Sequence, residues 1–288
     1  GAADVPHGPP PALADRDNNG LSDRLQAKLA AAAPGDRFDV VVTFKRPGKG
    51  AGPVGTAASA QRAVGSFLVR REFKIIPGFA ATMTAAQAQA LANVPGVFRV
   101  EEDFEVKAIL DDSRPDLGID RIQFGAEQIV DGLGFPATGL GVKICVLDTG
   151  LHAQHEMFVG KTIVWFDEVN GQPDPYDDHV DPFGTPVGHG THTTGIAMGG
   201  QGTYLGNPIR GTAWEADIIA VKVLDQNGSG SESTVIAGFD RCVASAADVI
   251  SISLGAAPGG DCQDAMALAV RAAVNDHGIF VAAAAGNS

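Results

Sequence analysis

The sequence is poor in cysteine, in positive charge and in long apolar runs. Three cysteines in 288 residues are too few for a disulfide framework and leave room for one bridge plus one buried thiol. Cys145 sits inside the apolar run VKICVL, so the expected bridge joins Cys242 to Cys262; three reduced thiols in a reducing compartment fit the count equally well. Twenty-one basic residues against 34 acidic ones give a formal charge of -13, which repels phosphate backbones and provides no basic stripe for nucleic acid. No stretch approaches the roughly 18 uninterrupted apolar residues of a membrane helix, so no membrane partner is expected and the chain reads as soluble. The N-terminal GAADVPHGPPPALADRDNNG has no charged region followed by an apolar stretch, so a secretory signal is either absent or already removed. Internal repeats and long low-complexity tracts are also missing.

What is present suffices for a sizeable core: 44% of residues are apolar and the mean hydropathy is +0.06, over a length that suits two units. Residues 1–36 read as a leader, rich at first in Pro, Ala and Gly. Its end, DRDNNGLSD, sets Asp15, Asp17, Asn19 and Asp23 at alternating positions around Gly20. That is similar to the front of an EF-hand-like calcium loop. The twelfth position is Gln26 where a bidentate Glu is wanted, so a structural calcium ion competes here with an acidic turn capping the helix LSDRLQAKLA. From 37 to 110 the pattern predicts a strand (RFDVVVTFKR), a helix (TAASAQRAVGSFLVRRE), and two short strands turned at Pro77-Gly78 (FKIIPGFAATMT). Thr84 with Gln87 three residues on forms a capping box for a second helix, and VFRVEEDFEV closes the unit as a strand. The order β-α-β-β-α-β points to a small ferredoxin-like α+β domain in which nothing suggests catalysis. The polar, Pro-containing DDSRPDLG marks a linker at 111–117, and a second domain covers 118–288.

There, largely apolar runs alternate with helices. GVKICVLD, TIVWFDE, DIIAVKVLD, VISISLG and GIFVAAAAG suit a sheet buried on both faces. Between them, STVIAGFDRCVASAAD places Val235, Phe239, Cys242 and Ala246 on one helical face, and DAMALAVRAAVNDHG ends at Gly278 in a C-cap position. The fold class is therefore α/β, with a parallel sheet whose active site belongs at the carboxyl ends of its strands. Three polar residues fall there: Asp148 in VLDTG, His189 in GHGTH and Asn287 in AAAAGNS. Each has an innocent explanation alone, as a turn cap, a surface histidine or a turn residue. His189 with His192 has the spacing of a zinc pair, but no third ligand follows at a zinc-like distance.

Taken together, in the order Asp, His, Asn, they resemble the subtilisin-like serine peptidases, the subtilase family. VKICVLDTG is similar to the family's Asp motif and GHGTHTTG to its His motif. GTAWEADIIAVKVLDQNGSGSES is similar to the strand and loop lining the substrate cleft, DVISISLG to the central cleft strand, and VAAAAGN to the oxyanion strand. The resemblance implies a secreted serine endopeptidase acting on protein or peptide substrates, with no cofactor required for the chemistry. It implies that His189 is the general base, that Asp148 orients it, and that Asn287 donates to the oxyanion. Gly228, Ser229 and Gly230, with Ser253, Leu254 and Gly255, are the implied residues that sandwich the substrate backbone as an added strand. FKIIPGFAATMTAAQAQALANVPGVFRVEED resembles the family's inhibitory propeptide, which implies an intramolecular inhibitor whose tail lies in RVEEDFEVKAILDD and whose cleavage falls between Val106 and Gly118.

One motif of the family, GTSMAxP around the nucleophilic serine, does not occur in the 288 residues. The expectation is a precursor that lacks its nucleophile segment, truncated or completed by a second chain, and inactive as it stands. The competing expectation is a non-catalytic subtilase-like protein that binds peptides or inhibits a protease. After Asp148, HAQHEMF places Met157 where the family often has an acidic calcium ligand, so a calcium ion there would depend on Glu156.

Overall fold

The computed structural model describes residues 14–45, 55–108, 137–204, 207–255 and 262–285. Asn287 and the linker at 111–117 lie outside them. The described chain divides into two compact units, 14–104 with 262–272 and 105–255 with 273–285.

The first unit opens with α1 (Asp23–Ala30). Ser22 caps it by accepting the Leu25 N–H, Asp23 lies in its first turn and Lys28 in its last, as the helix dipole favours. Next in the chain are β1 (Arg37–Phe44), α2 (Ala57–Val64), β2 (Leu68–Glu72), β3 (Gly78–Thr84), α3 (Ala85–Ala92) and β4 (Val97–Glu102). The strands form an antiparallel sheet in the order β2-β3-β1-β4, the ferredoxin-like arrangement expected. Three details differ from expectation. The helix over 56–72 stops at Gly65, whose φ of +88° no helix can continue, and 68–72 turns into a strand with period-two exposure. As a result 73–77 connects the hairpin and is no strand. Residues 21–29, expected in a leader, belong to the core: Leu21, Leu25 and Leu29 pack with Val40, Phe79 and Leu91. The capping box forms as read, with Thr84 Oγ1 accepting the Gln87 N–H at 3.3 Å and Gln87 Oε1 accepting the Thr84 N–H at 3.1 Å.

The second unit contains β5 (Glu105–Ala108), β6 (Lys143–Asp148), β7 (Ile163–Asp167) and α4 (His189–Met198). After these come the hairpin β8 (Gly202–Tyr204) with β9 (Asn207–Ile209), then β10 (Asp217–Lys222), β11 (Ser229–Ser231), α5 (Glu232–Ala244), β12 (Val249–Ile252) and β13 (Leu254–Gly255). Last are α6 (Ala265–His277), whose residues 265–272 count with the first unit, and β14 (Phe280–Ala283). Five strands pair in parallel in the order β14-β12-β6-β10-β7. On one face Val146, Ile218 and Ala220 pack with Met157, Phe158 and Met198 of the segments around α4. The other face is covered by α5: a Cβ added at Gly238 would lie 2.9 Å from Leu147 Cδ2. The central strands β6 and β10 are thus closed on both faces, which is why they read as continuous apolar runs, while β14 at the sheet edge stays largely exposed.

The cysteine pairing corrects the sequence expectation. Cys145 of β6 is bonded to Cys242 of α5, 97 residues away, and Cys262 is free and exposed. The same face of α5 that buries Val235 and Phe239 carries Cys242 onto β6, so packing of helix on sheet chose the partner and closeness in sequence did not. Ala246, expected on that face, lies past the helix end, exposed, at φ +54°.

Candidate active site

β6 and β10 run parallel with Asp148 opposite Lys222, so both side chains emerge at the carboxyl edge of the sheet. Asp148 is buried. Its Oδ1 lies 2.6 Å from His189 Nδ1 and accepts the Thr149 N–H at 2.7 Å, while Oδ2 accepts the Thr193 hydroxyl at 3.2 Å. A carboxylate can only accept, so Nδ1 carries the proton and the lone pair of the neutral ring is left on Nε2. His189 Nε2 is itself buried and has no hydrogen-bond partner among the described residues. The arrangement leaves one ring nitrogen able to accept a proton.

His189 is the first residue of α4, and the helix has no cap of its own: Gly188 adopts φ +55° and offers no side chain. The free first-turn N–H groups are satisfied from elsewhere in the unit. Gly190 donates to Thr149 Oγ1 at 2.8 Å, Thr191 to Asp177 Oδ2 at 2.8 Å, and His189 to His179 Nδ1 at 3.4 Å. Asp177 also accepts the hydroxyls of Thr149 and Thr191, and its charge faces the positive end of the helix. Lys222 is fully buried, donating to the Thr149 carbonyl at 2.5 Å and to Asp178 at 2.7 Å, with its ammonium 5.0 Å from the Tyr176 ring centroid. Burial, with a hydrogen bond to Asp167 and the charge of Asp178, pushes the Tyr176 hydroxyl up to about 12.

Sequence reasoning missed Thr149, Asp177, His179, Thr193 and Lys222. A signal existed for one of them: Lys222 interrupts the apolar run DIIAVKVL, and a charge inside a buried strand requires partners. The others are polar residues in loops and a helix, where only packing shows what they hold.

The six residues expected to flank a substrate are arranged around a strand of this same chain. β5 lies antiparallel between β11 and β13, with Val106 opposite Gly230, Lys107 opposite Ser229 and Gly255, and Ala108 opposite Leu254. Val106 is fully buried. Gly228, at φ +68°, turns the chain into β11, and Ser253 lies between β12 and β13. Gly230 has no room for a side chain, since an added Cβ would be 2.4 Å from the Val223 carbonyl oxygen.

The loop expected to hold calcium uses its oxygens on itself. Asp15 accepts the N–H groups of Asn19 and Gly20, Asp17 accepts from the amides of Asn19 and Gln26, and Asp23 pairs with Arg16. Leu21 accordingly enters the core behind a closed acidic turn. Among the described residues no group of three or more His, Cys, Asp or Glu side chains is placed to hold a metal ion, and as folded these carboxylates do not converge on one point. Met157 is buried in the core and Glu156 accepts the Thr203 N–H. His192, the other member of the zinc-spaced pair, is exposed and lines a 670 Å³ cavity with His152, His155, Met157, Ile196 and Ile209. No helix among the described residues is long and apolar enough to cross a membrane.

Residues 139–288 match the model of the subtilase family, and residues 40–108 match that of peptidase inhibitor I9. Thermitase of Thermoactinomyces vulgaris is 38% identical over 152 residues, covering 53% of this chain and 50% of thermitase. The extracellular serine proteinase of Thermus sp. (strain Rt41A) is 32% identical over 240 residues, 82% of this chain and 53% of that protein. The chain thus spans about half the length of these curated relatives. Among solved structures, fervidolysin from Fervidobacterium pennivorans, a keratinolytic enzyme related to subtilisin, superposes with a TM-score of 0.61 at 19% identity, covering 89% of this chain and 41% of fervidolysin. That likeness concerns the fold.

Proposed function

This chain belongs to the subtilase family, and from that premise we propose that the full-length protein is a secreted serine endopeptidase made as a precursor. The observation that carries the reading is the buried Asp148–His189 pair, with Nδ1 committed to the carboxylate and Nε2 left without a partner. In this role His189 Nε2 takes the proton of a serine hydroxyl as its oxygen attacks the peptide carbonyl, then returns it to the leaving amine. Asp148 stabilises the imidazolium formed between the two steps, and Asn287 donates its amide to the oxyanion. The nucleophilic serine is assigned to the full-length protein, not to Ser229 and Ser231 of β11, Ser253 beside β13, or Ser233 in the first turn of α5. Secretion is supported by the Thermus relative, whose name describes it as extracellular.

The seating of β5 supports two further parts of the proposal. A peptide substrate pairs with β11 and β13 as an added strand, and residues 105–108 of the uncleaved precursor hold that place as its own inhibitor. A non-catalytic peptide binder would use the same strand addition, but would have no need of a buried base with a free nitrogen. The test is a fluorophosphonate serine probe applied to the full-length protein after maturation, together with cleavage of a denatured protein substrate. Covalent labelling that scales with peptidase activity is expected; a folded protein that does neither is not a serine peptidase.

The inhibitory strand makes a separate prediction. Val106→Asp replaces the buried aliphatic side chain of β5 with a charge, and is expected to weaken inhibition by the propeptide, added in trans to the mature enzyme, by about 10- to 100-fold. An inhibition constant unchanged by this substitution would mean that the strand is not what occupies the cleft.

A further inference from the structure

We infer that His179 is a positioning residue for His189, fastening the start of α4 only while its own ring is neutral. The inference rests on the reading of His189 as the base. Of the three side chains that cap α4 from outside, His179 is the imidazole, a group whose charge ordinarily changes near neutrality. Its Nδ1 accepts the His189 backbone N–H at 3.4 Å, and an imidazole nitrogen can accept only when it carries no proton. Protonation turns that contact into two opposed N–H groups. It also sets a second positive charge beside the base, because the two rings meet edge to face with centroids 5.8 Å apart and planes at 84°.

The backbone holds His179 firmly in this place. Its carbonyl accepts the N–H groups of Val187 and Gly188 at 3.0 and 3.2 Å, closing a hairpin bridged at Val180 and Pro186 that leads directly into α4. Its own N–H donates to Asp177 Oδ1 at 3.3 Å. On the other side, the Val180 N–H bonds the Gln226 carbonyl at 2.9 Å, so the hairpin also joins the loop that leads to β11 and the cleft. The charged groups facing the ring are His189 of α4, Asp148 at the end of β6, Asp177 ahead of the hairpin and Lys222 of β10. Burial first, then the charge of His189 and that of Lys222, hold the His179 ring below its usual value, against the two carboxylates. The ring therefore stays neutral to a lower pH than an ordinary histidine does.

Two coupled histidines that must both be neutral give a particular acid limb. In the mature enzyme from the full-length precursor, log(kcat/KM) is expected to fall with a slope approaching about 2 on the acid side. His179→Asn keeps an acceptor at the Nδ1 position and cannot titrate. It is expected to fall with a slope of about 1 while retaining kcat near pH 8 within about threefold. His179→Leu removes the acceptor and is expected to lower kcat by about 10- to 100-fold with KM within about twofold, since a displaced base costs rate before it costs binding. A slope of about 1 in both wild type and His179→Asn, or a His179→Leu enzyme with undiminished kcat, overturns the inference. Should His179→Leu fail to fold, the slopes decide alone. A wild-type protein that the fluorophosphonate probe does not label removes the base itself, and with it the role of His179; a labelled wild type with indifferent His179 variants removes only the latter.

Discussion

His189→Ala in the mature full-length enzyme is expected to lower kcat by about a millionfold, and Asp148→Asn by about ten-thousandfold, each with KM nearly unchanged. KM holds because neither residue belongs to β11 or β13, the segments proposed to pair with the substrate backbone. The two losses have different causes. Alanine removes the imidazole whose Nε2 is proposed to take the proton of the nucleophile. Asparagine leaves the imidazole in place but fails in either orientation of its amide. With its oxygen toward Nδ1, it keeps the Thr149 N–H and the tautomer but lacks the charge that stabilises the imidazolium. With its NH₂ toward Nδ1, it forces the proton onto Nε2, and the base is blocked. Because the pair acts as one unit, the double variant is expected to be no slower than His189→Ala alone. Steady-state kinetics on a chromogenic peptide, with circular dichroism as a check on folding, decides this. An Asp148→Asn enzyme within tenfold of wild type would show that the 2.6 Å contact is not part of the reaction.

How much of this was legible beforehand depended on whether a residue announces its neighbours. Asp148 and His189 stand in short motifs at ends of apolar strands, and the rule that places parallel-sheet sites at carboxyl edges found both. The parallel strands were legible for the same reason: a sheet closed on both faces leaves no polar alternation, so GVKICVLD and DIIAVKVLD cannot be amphipathic helices. Thr84 and Gln87 were readable because a capping box is decided within four residues. The disulfide was not, because the meeting of Cys145 with Cys242 is a consequence of α5 lying on β6, which no local pattern records. The misplaced strand at 68–72 has the opposite origin. SFLVRRE has no helix breaker of its own, and the stop came from Gly65, whose positive φ belongs to the turn between α2 and β2. His179 and Asp177 were invisible as a cap on α4, since each is an ordinary loop residue until the helix arrives without a cap.

Gly190 and Gly195 lie on the same helix, and alanine is expected to have opposite effects at the two. At Gly195 the added Cβ would sit 3.7 Å from Met157 Sδ and 3.9 Å from Phe158 Cζ, ordinary contact distances. Alanine there relieves the backbone entropy that glycine costs in a helix, so Gly195→Ala is expected to be neutral or to stabilise by up to about 1 kcal/mol. At Gly190 the added Cβ would sit 2.3 Å from the Gly150 oxygen, 2.9 Å from the Gly150 nitrogen and 3.1 Å from Asp148 Cβ. No flexible side chain can yield there, because the nearest atoms are backbone of the loop that carries Asp148. The methyl group can be accepted only by moving the start of α4 away from that loop. The same movement breaks the 2.8 Å bond from the Gly190 N–H to Thr149 Oγ1 and lengthens the contact between His189 and Asp148. Overpacking of this kind costs about 1–3 kcal/mol, which for a protein of this size lowers Tm by about 2–12 °C. A base displaced by about 1 Å loses about 100-fold in rate. Gly190→Ala is therefore expected to lower both Tm and kcat, and Gly195→Ala neither. Calorimetry and kinetics on the pair decide it: equal effects at both positions would mean that the approach of α4 to the Asp148 loop is looser than 2.3 Å implies, and that the site tolerates a gap between its base and the carboxylate that orients it.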